Sequence, residues 1–510
     1  MSKNFYITTP IYYPSARPHM GHAYSSIVSD FFARLKRIQG YNVFFLTGTD
    51  EHGQKIQRAA EDNNKDPLKF CDDISKTFKD LSKTLNLSNN DFIRTTETRH
   101  KKSVEHLWKI LEKKKEIYLS KYSGWYSISD EAFYNNDEIE DVDGHKICKL
   151  SGSKVEWVEE ESYFFKLSKW QEPLLKFYDD NPNFILPETR KNEVISFVKG
   201  GLKDLSISRK SFTWGIKVPS NKDHVIYVWL DALTNYLSAL NYPDQKNDLY
   251  KNFWPADIHI IGKDILRFHA IYWPAFLLAA DIQPPKRVYG HGWILSGDEK
   301  MSKSKGNILD PIEIIDKYGL DPLRYYLLKE VSFGNDGNIS NEKLESCINS
   351  DLANNYGNLC QRVISFCEKN VGMKIPIVGE FDKEDLEILD IYKSKFNELK
   401  NKIDNQNINF YLNFIVEQLF RANKYFNDQE PWNKKNNKNR LNTIIYVSLE
   451  IIRKISILLY PIIPQSSLKA LKIFNIKENE IDFVTIQNHK FLPYETNINK
   501  IGILFNKFNK

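Results

Sequence analysis

Two short segments of this chain carry side chains suited to handling phosphate. The first is Pro18-His19-Met20-Gly21-His22, just after the apolar run Phe5-Tyr6-Ile7. Histidines three apart share one helical face, and a helix that starts here offers free N–H groups and the positive dipole end to an anion. Gly21 leaves room between them for a flat base to approach the backbone. Alone, His19 and His22 read first as capping or core histidines and only second as catalysts. The second segment is Lys300-Met301-Ser302-Lys303-Ser304, set between Gly297-Asp298-Glu299 and Lys305-Gly306-Asn307. Its lysines and serines are equipped to grip phosphates, although the plainest reading is a solvated basic loop. No G-x-x-x-x-G-K-[ST] or G-x-G-x-x-G follows a strand, so a P-loop and a dinucleotide fingerprint are excluded.

The elements around these segments give them direction. Phe5-Tyr6-Ile7, a helix from Pro18 to about Gly40 and Val43-Phe44-Phe45-Leu46 read as one βαβ unit. The helix rests on Ile27, Phe31, Leu35 and Ile38 at helical spacing, with Gly40 as its stop. A second series, His224–Leu230, Ile258–Gly262, an apolar helix around Ile271–Ala280 and Arg287-Val288-Tyr289, supplies further strands and a crossover of a parallel sheet. The lysine-rich loop follows the last of these strands, so it leaves the carboxyl end of the sheet, where open α/β folds bind ligands. Residues 117–223, rich in Tyr, Trp and Glu and with turns at Asp143-Gly144 and Gly200-Gly201, read as an insertion that splits the α/β domain. From 340 the pattern is helical, with stripes at Leu352, Tyr356, Leu359, Val363 and Phe366 and at Phe410, Phe414, Leu419 and Ala422. The expected division is therefore 1–116 and 224–339 for the two halves of the α/β domain, 117–223 for the insertion and 340–510 for a helical bundle.

Composition narrows the class. The chain has 510 residues, 41% hydrophobic and 27% charged, so wholesale disorder is excluded, and its net charge of +5 is a mild excess that leaves any nucleic-acid binding to local patches. Five cysteines without a CxxC pair argue against a disulfide framework or a four-thiolate zinc site. The N-terminus lacks the features of a signal peptide, and the apolar runs Ile271–Ala280 and Ile455–Ile463 fall short of the roughly 18 residues of a membrane span. A cytoplasmic protein without a membrane segment is expected.

In order along the chain, His-Met-Gly-His and Lys-Met-Ser-Lys-Ser resemble the two signatures of class I aminoacyl-tRNA synthetases. The segments Thr9–Pro14, Thr47–Gly53, Tyr227–Ala232 and Gly262–His269 are similar to the methionyl-tRNA synthetases over nearly the whole chain. The resemblance implies a Rossmann-type parallel sheet split by a connective insertion and followed by an α-helical anticodon-binding bundle. It also implies a methionine–tRNA ligase that forms methionyl-adenylate from L-methionine and ATP with Mg²⁺, then charges tRNA(Met), initiator tRNA included. His19, His22, Lys300 and Lys303 would be catalytic. Gly21, Gly262, Asp264, His291 and Ser302 would join them around ATP. The methionine pocket would comprise Ile11, Tyr13, Asp50, Trp229, Ala232, Leu233, Tyr236, Ile265 and His269, with Asp50 facing the substrate ammonium. An apolar, polarizable cradle suits a thioether, and Leu233 stands where some relatives carry proline. Asn358, Arg362 and Trp432 match anticodon-reading positions, and the basic stretch Lys434–Arg440 would contact the tRNA backbone.

Many relatives carry a zinc knuckle with two CxxC pairs in the insertion. Here those positions read Ser127-Ile128-Ser129-Asp130 and Cys148-Lys149-Leu150-Ser151, so no zinc is expected, with a residual site from Asp130, His145 and Cys148 as the alternative. The chain ends without an appended dimerisation domain, which points to a monomer. Two other functions remain open: a nucleotidyltransferase of the same superfamily, which would not need 170 helical C-terminal residues, and a catalytically silent RNA-binding paralogue, which would have no use for both phosphate signatures.

Overall fold

The computed structural model describes residues 3–130, 132–296, 299–300 and 310–508. The chain forms two compact units. One comprises Asn4–Ser29 and Val43–His291; the other holds Asp30–Asn42 and the chain from Gly292 onward.

The first unit is built on a six-stranded sheet in the order Asp91–Arg94, Asn42–Thr49, Asn4–Thr8, Ile258–Gly262, Val288–His291, Ile185–Leu186. Ile7 pairs in parallel with Ile258, Ile260 with Tyr289 and Leu46 with Asp91. Tyr6, Ile7, Phe45, Leu46, Ile260 and Ile261 are all fully buried, as strands covered on both faces require. Helix Met20–Ile38 follows the expected periodicity: Ile27, Phe31, Leu35 and Ile38 are buried, and Gly40 ends it in the left-handed region at φ 82°. No acidic residue lies in its first turn, so no carboxylate competes for its N-terminal N–H groups.

Two elements differ from the sequence expectation. His224–Leu230 is not a strand of the parallel sheet: Asn221–Ile226 joins a small antiparallel sheet, and Val228–Leu233 is helical. An uninterrupted apolar run has no period to separate a buried strand from a buried helix. Ile185–Leu186, within 117–223, returns to the large sheet and pairs with Val288 and Tyr289. Most of the remaining insertion rests on the long antiparallel pair Ile117–Ser127 and Glu156–Phe165. Beyond it the hairpin Ile139–Val142 with His145–Cys148 turns at Asp143-Gly144, both at positive φ as a tight two-residue turn requires.

The second unit is largely helical. Leu352, Tyr356, Leu359 and Val363 are buried as expected, with Phe414, Leu419 and Ala422 on helix Ile408–Asp428; Phe366 and Phe410 sit half-buried at the margins. The buried Asp30 carboxylate accepts from Arg34 Nε at 2.8 Å and Arg324 Nη2 at 2.7 Å. Arg324 also donates to the carbonyls of Ile462 and Pro461, so its buried charge is fully engaged. No described helix is long and apolar enough to cross a membrane.

Candidate active site and anticodon surface

At the start of helix Met20–Ile38, the two histidines are locked by the backbone. The His19 N–H donates to His22 Nδ1 at 3.1 Å, and the Gly21 N–H donates to His19 Nδ1 at 3.1 Å. With both Nδ1 atoms acting as acceptors, the network assigns the proton of each neutral ring to Nε2. The rings lie 3.8 Å apart, and His22 packs edge-on against Tyr12 and Phe78. Burial and the neighbouring His19 push the His22 pKa well down. Gly21 has a structural reason that the sequence did not supply: a Cβ there would stand 2.9 Å from His19 Cε1 and displace the ring.

Neighbouring strand ends bring three more expected residues together. Gly262 and His291 are directly paired across the sheet, and a Cβ on Gly262 would lie 2.5 Å from Asp264 Oδ1. His291 Nε2 bonds Ser25 Oγ at 2.7 Å, one turn along the helix from Gly21. Lys300 lies in the two-residue strand Glu299–Lys300, paired with Leu295 and Ser296. Ser302 and Lys303 lie outside the described residues.

The residues expected to cradle an amino acid converge as one apolar group. Leu233 and Tyr236 belong to a single core cluster, against which Ile11, Tyr13, Trp229 and Ile265 pack, and Ala232 is buried on the same helix. His269 Nδ1 donates to the Ile265 carbonyl at 3.0 Å, so its Nε2 accepts from the Tyr236 hydroxyl at 2.7 Å. Tyr236 in turn stacks on His259 at 4.0 Å. His269 lies in a wide π-helical turn, Phe268–Tyr272, of the kind that re-aims side chains at functional sites. That turn presents Phe268, which stacks face to face on Trp229 at 3.6 Å. Phe268 was not singled out from sequence, although it adjoins His269 and follows Ile265 by three positions.

Asp50 ends the strand Asn42–Thr49, and its N–H donates to the Tyr12 carbonyl at 2.9 Å. The residue after it is held on both sides: Glu51 accepts from Arg94 at 2.7 and 3.0 Å, and its carbonyl accepts from Trp214 Nε1 at 2.6 Å.

Buried imidazoles give the fold an acid liability. Burial pushes the His269 pKa from 6.5 to about 4 and the His259 pKa well below 6.5. Between these values and 6.5 the unfolded chain binds protons that the folded chain refuses, so their contribution is intact above pH 6.5 and lost as pH falls towards 4. The urea midpoint is expected to drop between pH 7 and pH 5, and less steeply in His259→Gln; a midpoint independent of pH over this range refutes the assignment.

The knuckle positions do not suit zinc. Asp130 accepts from Ser151 Oγ at 2.5 Å, Ser153 Oγ at 2.7 Å and Tyr134 OH at 2.8 Å, and its N–H donates to Ser127 Oγ. Cys148 is buried among Ile139, Val155, Trp125 and Tyr134. One thiol and hydroxyls already engaged with each other offer no tetrahedral soft donor set. Among the described residues no group of three His, Cys, Asp or Glu side chains could hold a metal, so Asp130, His145 and Cys148 do not form one.

In the helical unit, Asn358 opens helix Asn358–Asn370 on its exposed side, one turn before Arg362. Arg362 donates to Asn427 Oδ1 at 2.6 Å and lies over the Phe426 ring at 5.5 Å. Trp432 meets the same ring edge-on at 6.4 Å and is 42% exposed. Arg362 and Trp432 therefore flank one aromatic. Within the basic stretch, Arg440 is committed to Asp385 at 2.5 and 3.0 Å and to Gln429 at 2.6 Å, which leaves the exposed Lys434, Lys435 and Lys438.

Comparisons with known proteins show the family. The family model described as tRNA synthetases class I (M) matches residues 5–146 and 141–364, and that for the anticodon binding domain of methionyl tRNA ligase matches 375–510. The chain is 49% identical to the methionine–tRNA ligase of Rickettsia conorii over 100% of both chains. It is 47% identical to that of Brucella suis over 95% of this chain and 94% of the other. Among solved structures, Mycobacterium tuberculosis methionyl-tRNA synthetase in complex with methionyl-adenylate is similar at 44% identity with a TM-score of 0.96, covering 99% of each chain.

Proposed function

Because the chain belongs to the methionyl-tRNA synthetases of class I, and so joins methionine to tRNA with consumption of ATP, we propose a role for each part of the site described above. Methionine lies with its thioether against Ile11, Tyr13, Trp229, Leu233, Tyr236, Ile265 and His269, beside Ala232, and its ammonium on Asp50. The neutral Tyr236–His269 pair suits an uncharged sulfur, since both groups are already satisfied by each other. ATP lies along Gly21, Gly262, Asp264 and His291, with Ser302 and both lysines of the signature on its phosphates.

The methionine carboxylate attacks the α-phosphorus and pyrophosphate leaves; a ribose hydroxyl of the tRNA terminal adenosine then attacks the adenylate carbonyl, the bond from that carbonyl to the phosphate oxygen breaks, and AMP leaves with the hydroxyl proton passing to its phosphate or to water. Neither step needs a protein nucleophile. His19 and His22 donate from Nε2 to phosphate oxygens as charge develops, and Lys300 and Lys303 neutralise the leaving group. Mg²⁺ accompanies the ATP and adds positive charge on its phosphates. Asn358, Arg362 and Trp432 read the anticodon of tRNA(Met), including the initiator, while Lys434, Lys435 and Lys438 contact its backbone. Segments 1–116 and 224–339 act as the catalytic domain, 117–223 as the connective insertion and 340–510 as the anticodon-binding domain of a cytoplasmic monomer.

The observation that best supports these roles is the backbone lock on His19 and His22, which assigns their Nε2 atoms as donors at the start of a helix whose first turn carries no acidic residue. The test is amino-acid-dependent ATP–pyrophosphate exchange with each of the twenty amino acids, without tRNA. Exchange confined to methionine is expected. Absence of exchange in folded protein with Mg²⁺ would reject the assigned catalytic roles.

A further inference from the structure

Asp231 is fully buried, and its carboxylate holds two imidazoles. His52 Nδ1 donates to Oδ2 and His100 Nε2 to Oδ1, each at 2.7 Å. Burial alone would raise the pKa of this carboxyl; the charge and hydrogen bonds of His52 and His100 more than offset that and hold it at about 2. A buried carboxylate clasped by two histidines is a costly way to fill space, and apolar side chains would pack the same volume more cheaply. Its use is to be sought in what it connects.

His52 lies two residues after Asp50, whereas Asp231 sits on helix Val228–Leu233 between Trp229 and Leu233. The hydrogen bond between them therefore joins the segment after Asp50 to the helix that carries Trp229 and Leu233, across 179 positions of chain. On its backbone side, the His52 carbonyl accepts from the Tyr13 hydroxyl at 2.7 Å. On the far side, His100 on helix Thr98–Lys113 bonds Ser238 Oγ at 3.0 Å, which braces the segment following Asp231. One carboxylate thus ties together the Asp50 loop, the Tyr13 segment and the helix that carries the apolar wall.

We propose that Asp231, through His52 and His100, is a positioning residue that fixes the spacing between the ammonium-binding Asp50 and the thioether-binding wall at Trp229 and Leu233. The proposal rests on the methionine-binding roles assigned above. A substrate held at two ends needs that spacing held to a fraction of an ångström, and a slack wall weakens ground state and transition state alike. Asp231 touches no substrate in this scheme and takes no proton.

The test measures kcat and both KM values by ATP–pyrophosphate exchange in full-length Asp231→Asn, His52→Leu, His52→Asn and Asp50→Asn. Loss of one charged hydrogen bond corresponds to about a tenfold or greater rise in the methionine KM for Asp231→Asn and His52→Leu, with kcat and the ATP KM within about twofold. His52→Asn, whose amide nitrogen stands where Nδ1 stood, is expected to restore most of the methionine affinity; a merely structural role would give no such rescue. An unchanged methionine KM in Asp231→Asn, alongside a raised one in Asp50→Asn, overturns the proposal and leaves the pocket assignment standing. An unchanged methionine KM in Asp50→Asn overturns that assignment. A fall in kcat together with a rise in both KM values in Asp231→Asn assigns the network to folding alone and overturns the proposal. Should Asp231→Asn fail to fold, the His52 pair decides by the same criteria.

Discussion

Lys303→Ala is expected to lower the rate of methionine activation by about 100–1,000-fold, the usual effect of removing one donor aimed at developing charge, while the methionine KM moves by less than about threefold. Adenylate formation makes no covalent bond to the protein, so acceleration comes from alignment and from positive charge on the phosphates as pyrophosphate departs. In the proposed mechanism Lys303 would supply such charge from the segment Lys300-Met301-Ser302-Lys303-Ser304. The proposed methionine site is built elsewhere in sequence, from 11–13, Asp50, 229–236 and 265–269. Removing the lysine therefore leaves ground-state methionine binding in place. Pre-steady-state adenylate formation, with methionine affinity measured separately by fluorescence titration, separates the two effects. Equal losses in both would assign Lys303 to substrate binding or to folding.

Trp432→Ala is expected to weaken tRNA(Met) binding by about 10- to 100-fold, since one base stacked on an aromatic is worth about 1–3 kcal/mol. ATP–pyrophosphate exchange without tRNA should be unaffected. Two observations support so separable an effect. Trp432 is 42% exposed, so its removal leaves little cavity, and it adjoins the Phe426 ring only by its edge. Arg362 lies over that same ring and is aimed by Asn427, so Arg362→Lys, which loses the planar fork, should cost affinity for tRNA in the same assay. Filter binding of tRNA(Met), measured together with exchange on the same preparations, provides the check. A fall in exchange would show that these substitutions disturb more than the anticodon surface.

The two signatures, the first βαβ unit and the helical C-terminal third could all be read from sequence for the same reason. Each is encoded in a short window: histidines three apart at a helix start, apolar residues at a period of 3.6, a glycine stop at Gly40. The residues proposed to cradle methionine are legible only through resemblance and not through any local pattern, because Trp229, Tyr236 and His269 look like ordinary core residues. Where the local window held no signal, the reading failed: the run from His224 to Leu230 gave no period, and the chain breaks it into a strand and a helix.

The sequence by itself thus determined the family, the chemistry and the elements that present the histidine signature. Tertiary structure alone decided that a side chain on Gly21 would displace the His19 ring, which nitrogen each signature histidine presents, that Phe268 stacks on Trp229, and that Asp130 gathers the hydroxyls of a knuckle whose thiols are mostly gone. It also decided that His52 and His100 meet on Asp231. Such contacts join positions tens to hundreds of residues apart, and their partners are chosen by where the chain returns, which no periodicity within a single helix or strand records.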